Sequence, residues 1–469
     1  MGQIDTDYLV VGAGASGMAF IDTLITESDA DVVLVDRRHR PGGHWNDAYP
    51  FVRLHGPSAF YGVNSRRLGH DRIDDVGPNK GYYERASAAE ICDYYQRVLE
   101  EQLLPSGRVR FLGMSDHLGN GSHGHRVVSR LTGEETTVRV RRKVVEATYL
   151  ETSVPATHTP SFDADPDVWL VPPNALVGLQ EPASGYTVIG AGKTAMDTCT
   201  WLLDNGVAPD AIRWIRPQDP WVLDRGFLQP LELVTSLIEG LSLDVESAAN
   251  AEDVDDLFRR LEACGQLFRL DPEVEPTTYR GAILSEVERD ALRRIERVVR
   301  QGRVRHLGAD RIVLEHGSLA TDPGEVHVDC TAAGLNQAPA RPIFAPGRIT
   351  VQSIRAGMLP FSAALIAFVE VARDDDAEKN RLCPSIRMPD AATGWLSTTY
   401  AAHRTQTIWA GEDDLSRWLE RSRLNVGRSA RDHMDDPRMQ AAVGRLLENL
   451  EPALTNLRRL LRDLGQPVD

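Results

Sequence analysis

Tyr8-Leu9-Val10-Val11-Gly12-Ala13-Gly14-Ala15-Ser16-Gly17 runs an apolar strand straight into a glycine-rich turn. A short unbroken apolar run suits a strand buried on both faces. The glycines suit a sharp turn into the amino end of a helix, whose free N–H groups and dipole hold a pyrophosphate. The design returns later as Tyr186-Thr187-Val188-Ile189-Gly190-Ala191-Gly192-Lys193-Thr194-Ala195. One such motif is weak evidence. Two in one chain, each with a strand before and a helix after, imply two dinucleotides, most simply a flavin and the nicotinamide that reduces it. The fold class is α/β, built on two Rossmann-like dinucleotide-binding domains.

In the first turn Gly12 permits the reversal, Gly14 lets backbone approach the pyrophosphate, and Gly17 lets the helix pack on the strand. Ala15 and Ser16 add first-turn contacts. Asp31–Val35 reads as the next strand, with Asp36 and Arg37 at its end. A carboxylate about 20 residues past the glycines accepts hydrogen bonds from a ribose 2′-hydroxyl. In the second turn Ala195 replaces the third glycine, and the following strand, Ile212–Ile215, ends in Arg216. A guanidinium there binds a 2′-phosphate that an acid would repel. The first site therefore reads as FAD and the second as NADPH, with Gly190, Gly192, Lys193, Thr194 and Arg216 as coenzyme contacts. A phosphate-loop nucleotidase reading of Gly192-Lys193-Thr194 fails, because Thr187 stands where that motif needs glycine.

At 469 residues the chain is long enough for two or three domains. A net charge of −16 and a pI near 5.3 argue against nucleic acid or an anionic membrane as partner. The apolar stretch Phe361–Val369 is too short to span a bilayer. Asp5 and Asp7 do not fit a secretory signal, so a cytoplasmic location is expected. The five cysteines are scattered, with none at metal-ligand or dithiol spacing. No metal is expected. Without a close cysteine pair, electrons must leave the flavin for O2 or a bound small-molecule substrate.

Past the first unit come Arg40-Pro41-Gly42-Gly43-His44-Trp45, Tyr49-Pro50 and Leu54-His55-Gly56-Pro57-Ser58. This stretch resembles the segment after the ribose-binding acid in flavin-containing monooxygenases, the class B flavoprotein monooxygenases. The resemblance covers about residues 1–66 and 185–220 and returns near 326–370. It implies an FAD domain interrupted by an inserted NADPH domain. It makes Gly42 and Gly43 flavin contacts, with His44 and Trp45 beside them, and places Asn64 beside the flavin. His44, His55 and Asn64 become the candidate catalytic groups. It also implies a C4a-(hydro)peroxyflavin that passes oxygen to a nitrogen or sulfur nucleophile. The family's Phe-x-Gly-x-x-x-His fingerprint is missing, however; the nearest stretch is Phe162-Asp163-Ala164-Asp165-Pro166-Asp167-Val168-Trp169. A divergent member is expected. A flavin-dependent dehydrogenase without oxygen insertion stands as the alternative, and a non-catalytic flavoprotein as a third reading.

The organisation follows. Residues 1–160 read as the first part of the FAD domain, with a helix over Ala88–Glu101 and an antiparallel meander through Arg126–Ser129 and Thr137–Val140. Residues 161–325 read as the NADPH domain, with a helical insertion over 228–301. Residues 326–373 return to the FAD domain through a strand at Arg348–Gln352 and the helix Ala363–Ala372. Met358 and Ser362 at that helix's start are expected near the flavin's pyrimidine edge. Residues 374–469 read as a helical C-terminal region. There Leu446, Leu450, Leu454, Leu457, Leu461 and Leu464 form an amphipathic stripe. Packing on its own domain is the first reading of that stripe and a homodimer interface the second.

Overall fold

Two parallel sheets carry the molecule, which a computed structural model describes over residues 2–335 and 338–466. In the first, Gly2–Val11 lies between Val32–Val35 and Glu135–Glu146. Val109–Leu112 extends one side and Arg348–Thr350 the other. All these pairs are parallel, with Tyr8 opposite Val32 and Val11 opposite both Val35 and Glu146. The expected meander exists, since Gly124–Ser129 runs antiparallel to Glu135–Val138. Its second strand has a further use, continuing as a central strand of the sheet beside Gly2–Val11.

The second sheet runs Val298–Val299, Ile212–Ile215, Gly185–Ile189, Glu325–Asp329, Leu170–Val171, again all parallel. Strands that share one direction gather their carboxyl ends at one edge, and ligands of open parallel sheets sit outside that edge. Both glycine turns emerge there. Each feeds a helix that packs back on its sheet: Ala15–Glu27, here the first cradle helix, and Lys193–Asp204, the second. The helix Leu359–Ala372 leaves the edge of the first sheet after Thr350 and packs beside the first cradle helix. It is buried on nearly every side, as its almost unbroken apolar sequence requires.

Residues 228–301 are less helical than their sequence suggests. The helices Val234–Asn250 and Val254–Ala263 are present, but Leu267–Phe268 and Thr278–Leu284 are strands that flank Pro220–Asp224. The spacing of Leu292, Ile295 and Val298 imitates a helix, yet the helix ends at Arg293. The β-branched Val298 and Val299 pair instead with Trp214 and Ile215 at the sheet's free edge, where Arg216 N–H donates to the Val299 carbonyl at 2.9 Å. The leucine stripe is engaged inside the chain. Helix Pro437–Asp463 packs along Val234–Asn250, burying Leu457 and Leu461 against Trp221, Phe258 and Trp395, while Leu464 stays 40% exposed. Among the described residues no helix is long and apolar enough to cross a membrane.

One contact fixes how closely the first cradle helix approaches its strand. A Cβ built on Gly17 would lie 1.9 Å from the carbonyl oxygen of Gly12. Gly192 has φ −86° and open space within 4 Å of its would-be Cβ. Gly17→Ala is therefore expected to destabilise the protein by about 1–3 kcal/mol or more, as overpacking does. Gly192→Ala should stay within about 0.5 kcal/mol of wild type. Chemical denaturation of the two variants checks this, and equal loss in both would contradict the packing account.

Candidate functional site

The two glycine turns are built by the same contacts. Gly12 N–H donates to the Val35 carbonyl at 2.8 Å, and Ala147 N–H donates to the Val11 carbonyl at 3.0 Å. In the second turn Gly190 N–H donates to Ile215 at 3.0 Å, and Cys330 N–H to Ile189 at 2.9 Å. Gly12 and Gly190 have φ of +104° and +137°, values that L side chains rarely adopt. A Cβ at Gly12 would meet Thr148 at 2.7 Å, and one at Gly190 would meet the Cys330 carbonyl at 2.7 Å. Each turn thus presses against the end of the next parallel strand and points its helix outward. Several helices elsewhere are capped by side chains, among them those beginning after Ser87, Asp253, Ser285, Asp375 and Asp436. The cradle helices begin at Gly14 and Gly192 with no side-chain cap. At the second cradle the Ala195 N–H turns back to the Gly192 carbonyl at 3.0 Å, which leaves the Lys193 and Thr194 amides as the free donors there; at the first, the amides of Ala15, Ser16 and Gly17 precede the helix's first i→i−4 bond. The arrangement suits an anion.

At the first cradle, Asp36 is 6% exposed and binds the turn itself, accepting from Ala13 N–H at 2.6 Å and from Arg38 N–H at 2.7 Å. Arg37 pairs with Glu151 at the surface, away from the turn. Gly42 N–H donates to the Ala13 carbonyl at 2.9 Å, and a Cβ on Gly43 would lie 3.0 Å from the Gly14 Cα. His44 stacks on Trp45 at 4.8 Å, and the Trp45 indole donates to the Tyr61 hydroxyl at 2.7 Å. Asn64 is not brought to this edge. Its amide donates to Thr23 at 3.4 Å and accepts from Ser422 at 2.9 Å, so it ties the cradle helix to the C-terminal region. Ser362 is fully buried and engaged too. Its oxygen accepts from Ile354 and Arg355 N–H at 3.0 and 3.3 Å, and its hydroxyl donates to the Met358 carbonyl at 2.9 Å. It braces the helix start, leaving any ligand contact there to backbone amides.

The second cradle departs from its sequence reading at two positions. Arg216 is 2% exposed, pairs with Asp219 at 2.7 Å, and lies over the Trp214 ring at 4.7 Å. An acid three residues on has taken the guanidinium that was to meet a 2′-phosphate. Arg300 shares the same Asp219 at 2.9 Å. Lys193 turns its ammonium onto Asp197 rather than toward the open turn.

Residues 42–57 connect the two edges. Tyr49 donates its hydroxyl to Asp197 on the second cradle helix at 2.8 Å, and Phe51 stacks on Trp201 at 4.8 Å. Beside them lies a buried charge cluster. Glu288 bridges Arg85 at 3.3 Å and Arg225 at 2.5 Å, and Arg225 also donates to the His55 carbonyl at 3.2 Å and to Asn79 at 3.3 Å. Burial works against the Glu288 charge, yet Lys193, Arg225 and Arg85 together hold its carboxyl at about 2. Glu288 closes a capping box with Ser285 and Asp197 stands one helical turn past Lys193, while Tyr49, Arg85 and Arg225 reach them only through the fold.

His55 presents an exposed surface, yet protein crowds it closely enough that desolvation, with Lys193 next, pushes its imidazole down to about 4. His55 therefore borders both solvent and the packed groups between the cradles. His44 is likewise held at about 4, by burial first and Arg38 second.

Comparison with known proteins agrees with this geometry. Residues 10–69 match the NAD(P)-binding Rossmann-like domain, which covers the first cradle and the segment after it. An uncharacterized protein of Mycobacterium tuberculosis and one of Mycobacterium bovis are each 47% identical over 424 residues, spanning 90% of this chain and 78% of theirs. A cyclohexanone-bound cyclohexanone monooxygenase superposes with a TM-score of 0.50 at 12% identity, over 95% of this chain and 98% of that one. That likeness is one of fold.

Two histidines held near 4 have a signed consequence. Their folded values lie below the ordinary 6.5, so the neutral imidazoles favour the fold. That contribution is complete above pH 6.5 and is lost as pH falls from there through about 4. Imidazole NMR titration of the folded protein should give midpoints near 4 for His44 and His55. His44→Gln with His55→Gln should flatten the fall in stability across this window. A midpoint near 6.5 for either histidine would contradict its placement.

Proposed function

The chain belongs to the family of these mycobacterial proteins, and we propose that it is an FAD-dependent, NADPH-consuming monooxygenase that oxygenates a nitrogen or sulfur nucleophile of a small molecule. The observation that carries this reading is the repeated cradle: two uncapped helix starts on two parallel edges, joined by one segment that touches both. FAD suits the first cradle, where backbone approaches backbone at Gly14 and Gly43 and an acid stands at the ribose end. NADPH suits the second, where Gly192 leaves open space over free amides. Arg216 and Arg300 stand at its adenosine end, and a 2′-phosphate there would compete with Asp219 for them.

The flavin would supply hydride acceptance and oxygen activation; the protein's task is to orient, to exclude water and to place charge. Gly12–Gly17 and Gly43 hold the pyrophosphate side, with Met358 at the start of the helix that faces the same edge. Trp45 is fixed by its bond to Tyr61. His44 and His55 stay neutral through the physiological range and offer a hydrogen-bond donor and acceptor without adding positive charge between the cradles. Arg225 fixes the His55 backbone from beneath.

The test is NADPH oxidation by the FAD-loaded protein under labelled O2 with a tertiary amine, a thioether and a cyclic ketone. The expected result is label in the amine or sulfide product, approaching one oxygen atom per NADPH. Hydrogen peroxide as the sole oxygen product, with an artificial electron acceptor raising turnover, would put the dehydrogenase reading in its place.

A further inference from the structure

The amino end of the second cradle helix holds an arrangement that coenzyme binding alone does not require. Lys193 is the helix's first residue, yet its ammonium lies on the Asp197 carboxylate one turn along, and the two side chains are 7% and 15% exposed. Tyr49 reaches across from the segment that leaves the first cradle and donates to the other Asp197 oxygen at 2.8 Å. Its ring is held by Phe51 at 4.8 Å, and Phe51 by Trp201 of the same cradle helix. The cation nearest the helix's free amides is therefore engaged by an internal anion, and that anion has a second donor supplied by the other half of the molecule.

A phosphate at this helix start would draw the ammonium toward itself, because ammonium–phosphate and ammonium–carboxylate pairs compete for the same charge. The carboxylate left behind would then sit in a crowded, poorly solvated place, where an anion without a donor is strongly disfavoured. The Tyr49 hydroxyl is already in position to prevent that. We propose that Asp197 competes with the coenzyme phosphate for Lys193, and that Tyr49 is the positioning residue that keeps Asp197 paired when Lys193 is given up. The inference rests on the reading that this cradle takes the phosphate of a nicotinamide coenzyme. It makes coenzyme affinity depend on a residue from the flavin-side segment, 42–57.

The test is the Kd for NADPH, measured by calorimetry on the FAD-loaded full chain, for wild type, Asp197→Asn, Tyr49→Phe and the double variant. FAD content and melting temperature serve as fold controls. Removing the competitor should tighten binding about tenfold, and removing the Tyr49 donor should weaken it about tenfold, the size of one charged hydrogen bond. In the Asp197→Asn background, Tyr49→Phe should have no effect. Should Asp197→Asn lose FAD or fold poorly, Asp197→Ser makes the same test with the same expected tightening. Two single variants that both weaken binding, with effects that add in the double, would assign the pair a packing role and overturn the inference. Unchanged variants would overturn it as well. A wild-type protein that binds no NADPH would overturn the reading of the cradle and the inference with it.

Discussion

The carbonyl of Gly12 and the Cα of Gly17 lie so close that no side chain fits between them, and the working edge of the molecule depends on that approach. It seats the first cradle helix against its strand, so that the helix starts just beyond the strand's carboxyl end. The second cradle reaches the same result with Ala195, which is fully buried; its helix is set by the contact of Gly190 with the end of Glu325–Asp329. Parallel pairing of the strands on either side of each glycine turn then brings the neighbouring strand ends to the same edge. An anion-binding helix start becomes a dinucleotide site only in that setting.

What makes one site of two cradles is the electrostatics of the segment between them. Arg85 comes from before the second glycine turn, Arg225 and Glu288 from after it, and all three are nearly out of solvent. Removing one partner of such a network would leave a buried charge uncompensated, a loss of about 3–5 kcal/mol. The cluster therefore fixes the relation of the two halves, and with it the backbone of His55. Desolvation first and Lys193 next keep the His55 imidazole neutral, and Arg85 and Arg225 add to this. Structure and charge are set by one group of residues.

The glycine turns, their strands and the closing helix were legible in the sequence because each carries a local pattern: an apolar run, a glycine spacing, a proline at a helix start. The stretch 228–301 was misread in part, because Leu292, Ile295 and Val298 keep helical spacing while Val298 and Val299 complete a sheet edge whose other strand lies far away in sequence. Asn64 and Ser362 were assigned to the flavin from resemblance and position, and the structure gives their polar atoms to neighbouring segments. Arg216 was read as a contact to a 2′-phosphate. No pattern of strand and turn shows that Asp219 folds back to claim it. Tyr49 and Arg225 meet Asp197 and Glu288 only across the fold, whereas Asp197 also pairs with Lys193 four residues before it, a helical spacing that the sequence does show.

Two joined cradles should bring a flavin and a nicotinamide close enough for hydride to pass between them. The experiment is to mix the FAD-loaded protein with NADPH in the absence of oxygen while following the visible flavin absorption. Complete bleaching is expected, with one NADPH consumed per flavin. NADPH that binds while the flavin stays oxidised would contradict it, because the two cradles would then hold their ligands without joining them in one reaction.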